Sequence, residues 1–188
     1  MTTSHRHTHV DGAGDLPAGG ITTIEHLIEH LIEHLDEFLT PSSAIVCIGN
    51  ELRGDDGAGV VVGRKLAGTV PWRVHETQTV PESFLMKIVA DKPESMILVD
   101  GLHFGAAPGA IELVEAGQVG GQGPSTHGPA PLAFLEVFRM FHACRQAVLG
   151  IQLERTDFGE GLSDPVATAV DLVVQAFRTL AASATAAQ

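Results

Sequence analysis

Cysteine is scarce in this sequence: the 188 residues include only two, Cys47 and Cys144. They lie far apart, each within an apolar stretch, which argues against a disulfide and against a metal site built on paired cysteines. Buried free thiols are typical of proteins in a reducing compartment. The cysteine usage therefore predicts a cytoplasmic protein.

Basic residues are also few, with 11 lysines and arginines against 23 aspartates and glutamates and a formal net charge of −12. Nucleic-acid binders and proteins that dock on anionic membranes need clustered positive charge, so the composition excludes both as general partners. No uninterrupted apolar run approaches the ~20 residues of a membrane-spanning helix. Residues 1–20 also lack the apolar segment of a secretory signal. We expect no membrane insertion.

Strand and helix patterns alternate from residue 43 onward. Short, continuously apolar runs rich in β-branched residues predict strands, and longer runs with helical spacing predict helices. The alternation predicts an α/β fold: a single domain with a twisted, mostly parallel sheet of about five strands and helices on both faces. The predicted strands span 43–49, 72–78, 95–101, 109–115 and 146–153, and the predicted helices span 57–68, 81–91, 130–143 and 164–182.

The N-terminal part of the chain differs from the rest. Residues 1–20 are rich in Gly, His and Thr without periodicity, which predicts a disordered, His-rich tail. Residues 21–40 carry the near-repeat IEHLIEHLIEHL, whose apolar residues form one stripe of an amphipathic helix extension that Pro41 ends. The α/β domain then covers 41–182, and 183–188 form a short tail.

Acidic residues and one histidine follow the predicted strands at the points where those strands end. Asp55 and Asp56 come after the first strand, and Asp100 ends the third. His127 lies at the end of a Gly-rich loop. The carboxyl ends of parallel strands share one edge of a sheet, where the ligands of α/β proteins collect. Carboxylates with an imidazole suit a divalent cation such as Zn²⁺ or Ni²⁺, so the pattern predicts a metal site.

Purely structural interpretations of the same residues stay open. An aspartate after a strand often forms a turn or caps a helix, which applies to Asp55, Asp56 and Asp100. A loop histidine such as His127 is commonly solvated. A phosphate cradle is disfavoured, because GNELRGDDGAG lacks the spacing of dinucleotide and P-loop motifs and carries two aspartates. We expect no nucleotide cofactor.

Several motifs, in order along residues 44–182, resemble those of the [NiFe]-hydrogenase maturation endopeptidases. GNELRGDDGAG resembles the family's signature after the first strand, and MILVDG resembles its third strand with the aspartate. THGPAPLAFL is similar to the family's His-loop-helix segment, and LGIQ to its late strand. ETQTVPESF resembles the segment after the family's second strand, especially in the members that serve formate-hydrogenlyase-type hydrogenases. The family often has proline after Gly-Ile-Gln, where this chain has Leu153.

The resemblance implies an aspartic-type endopeptidase that removes a C-terminal peptide from the large subunit precursor of a [NiFe] hydrogenase. It places the metal-binding and catalytic trio on Asp56, Asp100 and His127, with a supporting role for Glu76. It also implies that the nickel is contributed by the substrate precursor. We expect Asp55 to brace the turn or cap the following helix, and we expect a monomeric enzyme.

The N-terminal repeat supports competing hypotheses. His26-Leu-Ile-Glu29-His30 and an overlapping copy ending at His34 match the His-x-x-Glu-His pattern of one class of zinc protease. Alternatively, the histidines bind nickel loosely, as an accessory site or in a non-proteolytic nickel-binding accessory protein. The simplest interpretation is an amphipathic helix whose polar residues flank its apolar stripe. The histidines in question are His5, His7, His9, His26, His30 and His34.

Overall fold

The computed structural model describes residues 8–10, 24–116 and 129–186. The strands are β1 (Thr8–Val10), β2 (Ala44–Ile48), β3 (Arg73–Gln78), β4 (Ser95–Leu102), β5 (Ile111–Glu115) and β6 (Arg145–Gln152). The α-helices are α1 (Ile24–Phe38), α2 (Ala58–Leu66), α3 (Leu85–Ala90), α4 (Pro129–Phe141) and α5 (Asp164–Ala186). Short 3₁₀ turns precede α2 and α3, at Gly54–Gly57 and Pro81–Phe84.

The described strands pair into one sheet, in the order β1-β5-β6-β4-β2-β3. The strands β3, β2, β4 and β6 run parallel, whereas β5 pairs antiparallel with β6 and β1 pairs antiparallel with β5. The direction of β5 follows from its short connection to β4, because a parallel return needs a longer crossover. The predicted α/β fold with a mostly parallel sheet is therefore confirmed.

The central strands are buried on both sides, which explains their continuous apolar runs. Every residue of β4 is buried, and its side chains alternate between two apolar cores. Ile97 and Val99 pack in the core formed with α1, α2 and α5. Met96 and Leu98 pack in the opposite core, formed with α3 and α4. The prediction of helices on both faces is confirmed.

The amphipathic helix α1 is part of the main core. Leu31, Leu35 and Phe38 lie on its apolar stripe and are buried in the same core as the side chains of α5. The guanidinium group of Arg145 lies over the Phe38 ring, 4.7 Å from its centroid. The helix α1, predicted as an extension, therefore packs on the same face of the sheet as α2 and α5.

Both predicted tails contain regular structure. Residues 1–20 were predicted to be disordered, yet Thr8–Val10 form β1 and pair with Ile111–Leu113 on the outer edge of β5. An unpaired strand edge offers backbone donors and acceptors to any extended segment that reaches it, which a periodicity search does not detect. At the other end, α5 continues past the predicted boundary of 182 to Ala186, through a stretch rich in alanine.

Helix α5 also bears on the prediction that no segment enters a membrane. Its residues Asp164–Ala184 have the length and mean hydropathy, 1.2, of a membrane-spanning helix. Half of that window is buried inside the protein, however, where Val170, Val173 and Phe177 pack in the core. This burial is typical of a core helix. The absence of membrane insertion stays a prediction.

Chain order and sheet order diverge at β2. From β2 the chain passes to β3 on one side of β2 and then crosses to β4 on the other side. The connection that follows β2 therefore leads to one edge of the sheet, and the connection that follows its neighbour β4 leads toward the other edge. Ligand-binding crevices in open α/β sheets form at such switch points, at the carboxyl ends of the strands. In this sheet that position lies between Asp56, in the turn after β2, and Asp100 of β4.

Candidate functional site

The turn after β2 brings Asp56 back over the end of that strand. The backbone N–H of Asn50 donates to the carbonyl oxygen of Asp56 at 2.9 Å, which closes the turn. Gly49 has a φ of +150°, and a Cβ atom there would lie 2.2 Å from the same carbonyl oxygen. Only glycine permits this approach. The Gly-rich motif is therefore needed to close the turn that carries Asp56.

We expect Gly49→Ala to destabilise the protein by about 2–5 kcal/mol, because the added methyl group would displace the backbone of the Asp56 turn. Gly68→Ala is the matched control: Gly68 has a φ of +70°, but no non-neighbouring atom lies within 4 Å of its Cβ position. That substitution should cost only the ~1–2 kcal/mol of a left-handed conformation. Urea unfolding measures both changes, and equal losses would contradict the steric account.

Asp100 lies within β4 rather than at its end, since the strand continues to Leu102. It pairs with Gly150 of β6 and is only 8% exposed. Burial and then the nearby Asp56 carboxylate raise the pKa of Asp100 to about 7, while the backbone N–H of Gly101 has a smaller opposite effect. At neutral pH the Asp100 carboxyl group therefore keeps its proton in a substantial fraction of molecules.

Asp56 is half-buried and is the charged neighbour that acts on Asp100. Burial raises the pKa of Asp56, and Arg53 and then His103 act in the opposite direction. The structure thus brings together two of the residues predicted for the metal site. Two interacting carboxyl groups hold a proton between them or, when both are ionised, attract a cation.

The third predicted ligand, His127, lies outside the described residues, so its role stays a prediction. Within the residues that the structure describes, no group of three or more His, Cys, Asp or Glu side chains is arranged to hold a metal ion. Asp56 and Asp100 supply two oxygen ligands. A complete coordination sphere needs further donors from elsewhere in the chain or from a bound substrate.

Asp55 has a separate, structural environment. It is fully buried, and its carboxylate accepts hydrogen bonds from the backbone N–H groups of Glu154, Arg155 and Ser163 and from the Ser163 hydroxyl, at 2.6–3.0 Å. Burial alone would raise the pKa of Asp55, but the hydrogen bonds from Ser163, Arg155 and Glu154 outweigh it and hold that pKa below its ordinary value. Asp55 thus ties the loop after β6 to the Asp56 turn.

Glu76 is not brought together with Asp56 and Asp100. It lies in β3 opposite Cys47 of β2, and its Cγ atom packs against Gly63 of α2. Burial, then Glu76 and then Asp100 raise the pKa of the Cys47 thiol, so Cys47 lies between the two acidic residues. The strand β2 separates Glu76 from Asp100 by two inter-strand spacings, about 10 Å. Its predicted supporting role stays a prediction.

The His-x-x-Glu-His repeat lies on α1, with His26, His30 and His34 in successive turns. His34 donates its Nδ1–H to the carbonyl oxygen of His30 at 2.7 Å, and the centroids of the two rings are 4.3 Å apart. Neither copy of the repeat forms a three-ligand metal site within the described part of the chain. His5 and His7 lie outside the described residues, and His9 lies in β1.

Two residues beside the candidate site were not assigned to it from the sequence. His103 is an exposed loop residue after β4, and its charge acts on the pKa of Asp56. Gln152, at the carboxyl end of β6, is 5% exposed and hydrogen-bonds to His103 and to the loop after β4. Two features of the sequence could have indicated these residues: His103 follows Asp100 closely, and Gln152 ends the LGIQ motif.

A cleft of about 510 Å³ opens beside the Asp56 turn. Glu51 and Arg64 line one part of it, and residues 160–162 of the loop after β6 line another. The Arg64 guanidinium group donates two hydrogen bonds to the Glu51 carboxylate, at 2.8 and 2.6 Å. The cleft therefore has a polar lining at the same edge of the sheet as the two carboxyl groups.

Comparison with known proteins points to one family. The family model HycI, hydrogenase maturation protease, matches residues 64–179. The chain is 27% identical over 137 residues to the hydrogenase 3 maturation protease of Escherichia coli K12. This alignment covers 71% of this chain and 87% of that protein. The range matched by the family model includes Asp100, His103 and Gln152 and begins after Asp56.

Solved structures agree with this assignment. The [NiFe] hydrogenase maturation protease HycI from Thermococcus kodakarensis KOD1 aligns with a TM-score of 0.66 and 25% identity, over 79% of this chain and 99% of that one. The maturation protease HybD from Thermococcus kodakarensis has the same fold, with a TM-score of 0.62 at 24% identity over 74% of this chain and 98% of that one. This chain belongs to the hydrogenase maturation protease family.

Proposed function

We propose that this protein is an endopeptidase that removes a C-terminal peptide from the nickel-loaded large subunit precursor of a [NiFe] hydrogenase. The observation that carries the proposal is the interaction of Asp56 with the buried Asp100 at the switch point of the sheet. Membership of the hydrogenase maturation protease family supplies the reaction class.

Nickel is part of the substrate in this proposal. Asp56, Asp100 and His127 complete the coordination of an ion that the precursor already holds, so that only the loaded precursor docks productively. The raised pKa of Asp100 fits this role, because a cation that binds between the carboxyl groups displaces their proton and relieves their repulsion. The cleft beside the Asp56 turn would hold the part of the precursor next to the scissile bond.

The chemical step is amide hydrolysis. The oxygen of a water molecule bonds to the scissile carbonyl carbon, the C–N bond breaks, and the leaving nitrogen takes up a proton. We assign the transfer of that proton to the Asp56 and Asp100 pair, which is the aspartic-type mechanism that the family resemblance implies. A carboxylate of the pair can accept the proton that the attacking water releases and return the same proton to the leaving nitrogen.

The remaining parts of the proposal concern partners and location. The reaction takes place in the cytoplasm and involves a monomeric enzyme with no nucleotide cofactor, nucleic acid or membrane insertion. The excess of 23 acidic over 11 basic residues supports the absence of nucleic-acid and membrane partners. The histidines of the N-terminal region would at most add loose nickel binding.

We expect Asp56→Asn to abolish cleavage of a nickel-loaded large subunit precursor, because the variant keeps the volume of the side chain but loses one ligand and one proton acceptor. Mass spectrometry of the precursor after incubation with wild-type protein should find the C-terminal peptide removed. Incubation with the variant should leave the precursor intact, a loss of more than about 10³-fold in rate.

A double variant, Glu29→Gln with Glu33→Gln, is the matched control, because it removes the glutamates of both His-x-x-Glu-His copies from α1. It should cleave like wild type. Cleavage lost in this variant but retained in Asp56→Asn would move the active site to the N-terminal repeat. No cleavage by wild type, with nickel binding intact, would favour a non-proteolytic accessory protein.

A further inference from the structure

Gln152 connects β6 to the loop that follows β4. Its Oε1 atom accepts hydrogen bonds from the backbone N–H groups of Phe104, at 2.9 Å, and Ala106, at 3.3 Å. Its Nε2 atom donates to the Leu153 carbonyl oxygen at 3.0 Å and to Nδ1 of His103 at 3.3 Å. Every hydrogen-bonding position of this buried amide is therefore used.

These contacts fix the orientation of the Gln152 amide. If the amide were rotated by half a turn, its NH₂ group would face the N–H groups of Phe104 and Ala106, and its oxygen would face the Leu153 carbonyl. Both arrangements are repulsive, so Nε2 is the atom that faces His103. An amide nitrogen only donates, and His103 Nδ1 must therefore accept. A neutral His103 ring then carries its proton on Nε2.

The Nε2–H group lies on the side of the ring away from Gln152. His103 is exposed and directly follows β4, the strand that carries Asp100, and its charge acts on the Asp56 carboxyl group. We propose that Gln152 is a positioning residue that holds His103 as an Nε2–H donor at the mouth of the Asp56–Asp100 site. There His103 hydrogen-bonds to the carbonyl oxygen of the scissile peptide, a role that rests on the proposed peptidase function.

A donor at this position has a defined use in amide hydrolysis. Addition of water to the carbonyl carbon places negative charge on the carbonyl oxygen, and a preorganised N–H group stabilises that charge. His103 keeps its proton throughout, so the proton balance of the reaction stays with the two carboxyl groups. The same tautomer prevents His103 from being a nickel ligand, since one ring nitrogen is bonded to Gln152 and the other carries hydrogen.

Nitrogen-15 NMR of the full-length, histidine-labelled protein tests the tautomer directly. At about pH 8, where an ordinary imidazole is neutral, the His103 resonances should indicate a protonated Nε2 and an unprotonated Nδ1. Gln152→Glu should reverse this assignment, because its carboxylate still accepts from Phe104 and Ala106 and can only accept from Nδ1, although its second oxygen then meets the Leu153 carbonyl unfavourably. A protonated Nδ1 in wild type, or an unchanged tautomer in Gln152→Glu, would overturn the proposal.

Gln146→Glu is the matched control. Gln146 lies in the same strand, is also 5% exposed, and bonds to Arg139 and Leu135 at the opposite end of β6. This variant should leave the His103 tautomer and the cleavage rate unchanged. Any reversal of the tautomer by Gln146→Glu would mean that β6 as a whole, and not the Gln152 contact, sets it.

Cleavage of the nickel-loaded precursor tests the role in the reaction. His103→Ala and Gln152→Glu should each lower kcat by about 10²-fold with little change in KM, and His103→Gln, which keeps a donor, should recover part of the loss. A wild-type rate in His103→Ala would overturn the role of His103. A failure of wild type to cleave would instead count against the proposed function, and the NMR result would still decide the tautomer.

Discussion

Asp100→Asn should make the protein more stable at about pH 8 while leaving the hydrogenase precursor uncut. The asparagine keeps the volume of the side chain but removes a charge that burial and Asp56 both disfavour. It also removes one of the two carboxyl groups of the proposed site, so cleavage should fall by more than about 10³-fold. An increase in stability together with a loss of activity is the signature of a strained functional group.

The pH dependence of this effect follows from the direction of the shift. The pKa of Asp100 rises from an ordinary value of about 4 in the unfolded chain to about 7 in the folded protein. Its contribution to stability is therefore present below about pH 4 and is lost as the pH rises through 7. The gain from Asp100→Asn should be on the order of 2–4 kcal/mol at pH 8 and close to zero in acid.

Urea unfolding of wild type and Asp100→Asn across this pH range measures the difference. Asp91→Asn serves as control, since Asp91 pairs with the buried His75 at 2.8 Å and lies near the amino end of β4. That variant should lose stability and keep activity, the opposite of Asp100→Asn on both counts. A destabilised Asp100→Asn at pH 8 would show that the Asp100 carboxylate is favourably solvated or paired in the folded protein.

Asp55→Asn should destabilise the protein more than Asp56→Asn or Asp100→Asn. The carboxylate of Asp55 accepts four hydrogen bonds, and three of their donors are backbone N–H groups of the loop after β6. The asparagine would place an NH₂ group against these donors and leave buried N–H groups unsatisfied. The free energy of unfolding should fall by about 3–5 kcal/mol.

Ser163→Ala and Asp157→Asn provide a graded comparison for Asp55→Asn. Ser163→Ala removes one of the four hydrogen bonds and should cost about 1 kcal/mol. Asp157 is exposed in the same loop, so Asp157→Asn should be close to neutral. Because the pKa of Asp55 is lowered by folding, its contribution is present above about pH 4 and is lost as the pH falls through the folded value. A loss for Asp55→Asn that does not shrink in acid would contradict this account.

The central sheet could be predicted from the sequence because its strands are buried on both faces. A strand such as β4, with every residue buried, is a continuous apolar run that alternates with helical patterns. Elements at the edge or on the surface of the sheet are not marked by a continuous apolar run. The pairing of Thr8–Val10 with β5 depends on a free backbone edge, and the packing of α1 in the main core depends on which surface its apolar stripe meets.

The candidate site was predicted in part. The strand-end rule placed Asp56 and Asp100 at one edge of the sheet, because it depends only on strand direction. The rule could not tell the structural role of Asp55 from the site role of Asp56, because the role of each side chain in a turn depends on the residues that pack against it. The partners of Asp55, in residues 154–163, and the contact of Gln152 with His103 join distant parts of the chain, and sequence periodicity is silent about them.

The hydrogen bonds from Ser163 to Asp55 also set an order of events during synthesis. The two residues are separated by 108 positions, so the carboxylate has none of its partners while the ribosome is still extending the chain toward β6. Contacts of such high sequence separation form late, after local helices and the earlier strands. The Asp56 turn therefore reaches its final shape only after residues 154–163 have been synthesised. A nascent chain that stops before them carries both candidate aspartates but no assembled peptidase.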